Sequence, residues 1–213
     1  MKPTTNYIVN MNNYMKNHWQ YNNNLHQQRH QNRIKFVGSF CIGKTLEVGM
    51  ANGFSTNLLQ QTFPECKFTG LEPTDWGFQE AEKLYPHIPK VKAFAEEIPF
   101  ESHTFDTVLA AEIMEHVEEP RKVLNEFFRV AKKRIIVTSP VSEAGMKNDP
   151  DHKRFFTYRD MYDLVKYYSN FSTMEPAGLN RNGEVVHALA DNLYPTFAPE
   201  VFFGIFIIKL KGK

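Results

Sequence analysis

From residue 44 onward, short β-branched runs alternate with helical stretches, and this alternation restricts the fold more than any other feature of the chain. "KTLEVGM", "KFTGLEP", "KVKAFAEEIP", "TFDTVLAAE" and "RIIVTSP" read as strands. Between and after them, "NGFSTNLLQQTF", "DWGFQEAEKLYP", "EPRKVLNEFFRVAKK" and "TYRDMYDLVKYYS" read as helices, and residues 171–175 and 201–210 supply two late strands. Such an order predicts an α/β fold: a parallel sheet joined by right-handed crossovers, with helices on both faces.

The clearest helix is "EPRKVLNEFFRVAKK". Pro120 stands at its start, where a missing N–H costs nothing. Val123, Leu124, Phe127, Phe128 and Ala131 form one apolar face, and Lys132 and Lys133 are placed in its last turn, favourable for the helix dipole. Residues 1–33 differ in kind, being rich in Asn, Gln, His and Tyr. Tyr7, Ile8, Met11, Tyr14, Met15, His18 and Trp19 nevertheless recur at helical spacing, so residues 1–35 are expected to form a helical cap or arm on a domain spanning 36–213. The segment 176–200 is long for a plain connection, and long loops in compact domains tend to serve function.

A net charge of +1 argues against a nucleic-acid partner, and the basic runs at 132–134 and 147–154 read as solvated faces. Cys41 and Cys66 suggest neither a disulfide framework nor a zinc knuckle, which points to a reducing compartment. The longest late apolar run spans 201–210, half of the roughly 20 residues a membrane span needs, and the N-terminus has no apolar signal region. A cytoplasmic location is expected.

The first chemical signal is "LEVGMANGFST" at 46–56: a strand runs through a glycine loop into a helix. Such a loop allows close backbone approach to a ligand, although a tight turn alone would also require glycine. Glu72 ends the next strand, where an acidic side chain can accept from a ribose diol. Together they read as an adenosine-type pocket. The string Gly49-Met50-Ala51-Asn52-Gly53 brings its last glycine one place too early for a dinucleotide fingerprint, and Glu47 would repel a pyrophosphate but welcome an ammonium group.

The second signal is "AAEIMEHVEEP" at 110–120. Glu112 closes the fourth strand at the ligand-binding edge. In a helical turn, Glu112 can share one side with Glu115 or His116. With His152 from "NDPDHKRFFTYRDM", these residues form a candidate set for Mg²⁺ or another divalent metal. The plainer alternative is a turn held by packing and hydrogen bonds.

"LEVGMANG" resembles motif I of the class I methyltransferases that use S-adenosylmethionine, with Ala51 in place of the middle glycine. "GLEP" resembles their second motif, and residues 93–130 follow, in order and spacing, a long signature of the small-molecule branch. The resemblance covers about residues 44–165. It implies a Rossmann-like, doubly wound sheet of seven strands with the last antiparallel. It also implies a cofactor site in which Glu47, Gly49, Ala51 and Gly53 hold the methionine end, Glu72 the ribose, and Ala95 and Glu96 the adenine, with Glu112 in the pocket wall. Phe94 departs from an aspartate common in the family. The E-x-x-E-H string is similar to that of ubiquinone-biosynthesis O-methyltransferases and of small-RNA 3′-terminal 2′-O-methyltransferases.

A methyltransferase acting on a hydroxyl or amine of a small-molecule acceptor is the leading expectation. His116 and His152 are the candidate catalytic bases, and Glu112, Glu115, His116 and His152 the candidate metal ligands. Methylation of RNA 3′ ends, or a non-catalytic cofactor-binding partner subunit, are the alternatives.

Overall fold

A computed structural model describes residues 24–141, 151–180, 184–186 and 201–212 of the 213-residue chain. In chain order the elements are α1 (Asn24–Gly38), β1 (Lys44–Val48), α2 (Phe54–Thr62), β2 (Lys67–Glu72), α3 (Asp75–Leu84), β3 (Lys90–Lys92) and β4 (Phe105–Ala111). They continue with α4 (Pro120–Val130), β5 (Ala131–Pro140), α5 (Tyr158–Val165), β6 (Phe171–Leu179), β7 (Val185–Val186) and β8 (Phe203–Leu210). The strands form one eight-stranded sheet in the order β3-β2-β1-β4-β5-β8-β6-β7.

β1 to β5 are mutually parallel, and β8 enters antiparallel between β5 and β6. The seven expected strands are all present. The eighth, β7, is a two-residue addition that pairs with the end of β6 through Gly178 and Leu179.

Successive residues of the central strands face opposite sides, as the period of two requires. Val108, Ala110, Ile135, Val137, Phe206 and Ile208 join one apolar cluster, with Leu124 and Phe127 of α4 and Met161 and Val165 of α5. Leu109, Ile136, Ile205 and Ile207 join another, with Ile34 and Val37 of α1 and Leu59 of α2. Burial on both faces explains why these strands read as continuous apolar runs.

Local chemistry fixes the helix starts. Thr74 caps α3 by accepting from the Gly77 N–H, and Thr157 with Asp160 forms a reciprocal capping box on α5. α4 ends at Val130, so Lys132 and Lys133 lie in β5 rather than in a last helical turn. Pairing of Phe105 with Ala131 across the sheet overrides the helical propensity of Ala131-Lys132-Lys133. The expected helix over residues 7–19 lies outside the described residues, as does most of 176–200. Among the described residues, no helix is long and apolar enough to cross a membrane.

Candidate active site

The strand order reverses direction between β1 and β4, and the loops leaving these two strands flank the crevice where open α/β sheets take ligands. The loop after β1 has an unusual backbone: Gly49, Ala51 and Gly53 all have positive φ, at 78°, 51° and 83°. A side chain at Gly49 would meet Ile113 Cδ1 at 2.1 Å, so the loop lies directly against the chain that follows β4. Ala51 takes the left-handed conformation with a Cβ, at a cost of roughly 1–2 kcal/mol.

Neighbouring groups hold the loop in place. The Gly49 and Met50 N–H groups donate to the Leu71 carbonyl at 2.8 and 3.1 Å, and the Ala51 N–H donates to Glu72 Oε2 at 3.0 Å. Glu72 is buried, and its Oε1 accepts from both the N–H and the hydroxyl of Thr74, at 3.0 and 2.5 Å. Burial pushes its carboxyl above the ordinary glutamate range, while these donors pull it back. A carboxylate has about four acceptor positions. Three are engaged here, and a position on Oε2 remains for a ribose hydroxyl. Glu47 is buried beneath the loop and accepts from the Thr56 hydroxyl of α2 at 2.5 Å. It therefore ties strand to helix. Burial raises its pKa too, against the hydroxyls of Ser55 and Thr56. Ala95, which is buried, and Glu96, which is half-buried, lie in the turn after β3, near the same sheet edge as Glu72.

Beyond β4, Glu112 takes a positive φ of 56°, rare for a residue with a side chain. Its Oε1 accepts from the Thr138 hydroxyl at 2.6 Å, and its Oε2 lies 3.3 Å from Arg33 Nη1 of α1. Of the four candidate metal ligands, the structure brings together Glu115, His116 and His152, with one ligand atom of each within 4.8 Å of the others. Glu112 is turned away to Thr138 and Arg33.

Glu115 is fully buried, and among the described residues neither of its carboxylate oxygens has a hydrogen-bond partner. His152 Nε2 lies 4.0 Å from its Oε1. Burial, and then the charge of Glu112, push the Glu115 carboxyl well above the ordinary range. The charge of Arg33 offsets this in part. The His116 and His152 rings meet edge-on at 4.9 Å.

His152 reaches this place because its segment is clamped to the turn. The Lys153 N–H donates to the Glu115 carbonyl at 2.9 Å, the Lys153 ammonium pairs with Glu118, and Arg154 donates to the Val117 carbonyl. Lys153 and Arg154, expected as a solvated basic face, are this clamp. Sequence reasoning missed Arg33 and Thr138. Arg33 lies in the polar N-terminal region, and the only local hint of its role is the buried pair Ile34 and Val37 beside it.

Residues 46–137 match the family model described as "Methyltransferase domain". Among the curated proteins no match was found. The fold is similar to that of a possible histamine N-methyltransferase from Thermotoga maritima, with a TM-score of 0.60, 20% identity, and coverage of 80% of this chain and 84% of that one. It is also similar to an S-adenosylmethionine-dependent methyltransferase from Archaeoglobus fulgidus, with a TM-score of 0.66, 14% identity, and coverage of 92% and 99%. The plantazolicin methyltransferase BpumL, solved in complex with SAH, aligns with a TM-score of 0.62 at 12% identity over 86% of this chain and 84% of that one. Residues 46–137 thus resemble a methyltransferase domain, and the fold is similar to that of S-adenosylmethionine-dependent methyltransferases.

Proposed function

We propose that the chain methylates a hydroxyl or amine of a small-molecule acceptor, with Glu115, His116 and His152 serving the acceptor side. The observation that carries this reading is a buried carboxylate without a hydrogen-bond partner among the described residues, facing two imidazoles beside the pocket wall. A buried carboxylate left in this state is costly, and such groups are retained where they bind or react.

S-adenosylmethionine supplies an electrophilic methyl group, so the chain's task is to align the acceptor and exclude water. The 49–53 loop, Glu72 and the turn carrying Ala95 and Glu96 are the proposed contacts for the donor. The 114–118 turn, clamped by Arg154, fixes Glu115 and His116, and Lys153 draws His152 to them.

One carboxylate and two imidazoles suit a divalent ion such as Zn²⁺ or Mn²⁺ better than Mg²⁺, which prefers an all-oxygen shell. Glu115, His116 and His152 would hold it, and an ion there would lower the pKa of an acceptor hydroxyl. Glu112 falls outside this set because Thr138 and Arg33 engage it.

The test is a labelled methyl-donor screen over phenols, amines, sugars and short RNA, with added metal or chelator. Transfer to a small acceptor, lost on chelation, is the expected result. A rate unaffected by chelator assigns His116 and His152 to direct proton removal instead. Transfer to RNA alone contradicts the small-molecule reading.

A further inference from the structure

We infer that the end of the sheet opposite the ligand edge is a docking surface for an anionic membrane, where a band of lysines meets the phospholipid headgroups. The surface lies apart from every residue assigned to methyl transfer.

β1, β2, β4 and β5 begin at this end, and β8 finishes there because it runs antiparallel to its neighbours. Lys44 opens β1 and Lys67 opens β2, and the parallel register sets them directly opposite each other. Arg134 of β5 and Lys209 of β8 are register partners in the same way. Like charges at facing positions of adjacent strands oppose pairing, so both pairs are kept at a cost to the sheet. Lys132 and Lys133 near the start of β5, and Lys211 just after β8, extend the band.

Acidic groups answer only part of this charge. Asp106 lies 3.1 Å from Lys133, Glu175 pairs with Lys209, and Glu65 and Glu101 stand in the turns before β2 and β4. Lys44, Lys67 and Lys132 are exposed and make no ion pair among the described residues. The whole chain has a net charge of only +1, so the excess is local, and the opposite edge carries Glu47, Glu72, Glu112 and Glu115.

The shape of the band favours a membrane over a nucleic acid. Alternation along the strands sends Lys44, Lys67 and Lys133 toward the α4 face, and Lys132, Arg134 and Lys209 toward the α1 face. The charge therefore covers a broad end of the molecule rather than one groove, as a flat layer of headgroups requires. Tyr167, 79% exposed, lies beside it. Lys211 holds that loop, its N–H donating to the Asn170 carbonyl at 2.8 Å and its ammonium to the Ser169 carbonyl at 3.3 Å. The Lys166 ammonium sits 4.9 Å from the centre of the Tyr167 ring. A tyrosine among lysines suits the boundary between headgroups and water. Docked by this end, the protein keeps its crevice open to the solvent.

The experiment is co-sedimentation of the full chain with phosphatidylcholine vesicles, with and without phosphatidylserine. Binding should be about tenfold or more stronger with phosphatidylserine, since each lysine near an anionic surface contributes about fivefold. It should vanish as ionic strength rises from about 0.1 M to 1 M and the screening length falls from about 10 Å to 3 Å. The triple variant Lys44→Glu, Lys67→Glu, Lys132→Glu should lose the preference. Its Lys44–Lys67 position stays like-charged, so its unfolding temperature should match the wild type, and calorimetry should show an unchanged affinity for S-adenosylmethionine.

Equal sedimentation with both kinds of vesicle, or a triple variant that keeps the preference, overturns the inference. Tighter binding to a short RNA than to the vesicles, lost in the same variant, overturns it in favour of a nucleic-acid partner. Each of these outcomes leaves the methyl-transfer reading standing, because donor binding is measured separately.

Discussion

Two charged clusters lie at opposite ends of α4 and have opposite character. At its C-terminal end, Arg129 donates to both oxygens of Glu126 at 2.7 Å each, and to the carbonyls of Phe100 and Ile98 at 2.7 and 2.8 Å. Glu126 in turn accepts from the Ile98 N–H at 2.8 Å. This bracket pins the 98–100 loop to the helix, and contact with Arg129 holds the Glu126 carboxyl below the ordinary range. Before the N-terminal end of α4, Glu115 is buried without a hydrogen-bond partner among the described residues, and its pKa moves in the opposite direction. A satisfied ion pair needs no role beyond structure. A buried carboxylate facing two imidazoles is what the proposed acceptor site would account for.

The comparison can be broken most directly through the histidines. His116→Ala and His152→Ala should each lower methyl transfer by about a hundredfold or more and abolish any response to added divalent metal. Each should shift the unfolding temperature by no more than about 2 °C, the size of a modest surface change. A large drop in stability with activity retained would assign the cluster to structure.

Next in size is the bracket. Arg129→Met strands two carbonyls and a carboxylate, and should cost about 2–3 kcal/mol, or roughly 5–10 °C in unfolding temperature. Donor affinity measured by calorimetry should not change. A variant that folds as well as the wild type but binds the donor poorly would reverse the assignment.

The sign of the Glu126 shift gives a pH prediction. Its folded pKa lies below the ordinary 4.5, so its contribution to stability is present above that value and is lost as pH falls through the lower folded value. Unfolding temperatures of the wild type and Glu126→Gln should therefore differ most near neutrality and converge in acid. A gap that widens in acid would contradict the bracket.

Ala51→Gly sharpens the comparison at the cofactor loop, with the smallest effect. It relieves a left-handed alanine and should raise the unfolding temperature by about 2–4 °C. No gain would mean that the loop holds Ala51 without strain.

Much of the framework was legible because period and punctuation agreed. Buried strands gave continuous apolar runs, Pro120 marked the start of α4, and the glycine loop and Glu72 stood at strand ends where ligands bind. The boundary between α4 and β5 was hidden, because Ala131-Lys132-Lys133 favours a helix until β4 lies beside it. β7 is too short to carry a pattern. Tyr14, His18 and Trp19, expected in an N-terminal cap, lie outside the described residues.

Within the site, the spacing of Glu115 and His116 was visible and His152 was a plausible third member. The fold separates these three from Glu112, and no local spacing could show that Glu112 would find Arg33 about 80 positions earlier in the chain. Contacts of that range depend on how α1 lies across the sheet.

Glu115→Met tests the central claim most directly, because it replaces the buried carboxylate with an apolar chain of similar length. The measurement is the rate of methyl transfer to an acceptor found in the screen, taken beside the unfolding temperature of the same sample. Removing a buried carboxylate that no partner satisfies should leave the protein as stable as the wild type or more so, while transfer falls by about a hundredfold or more. Full activity in a destabilised Glu115→Met variant would contradict the account.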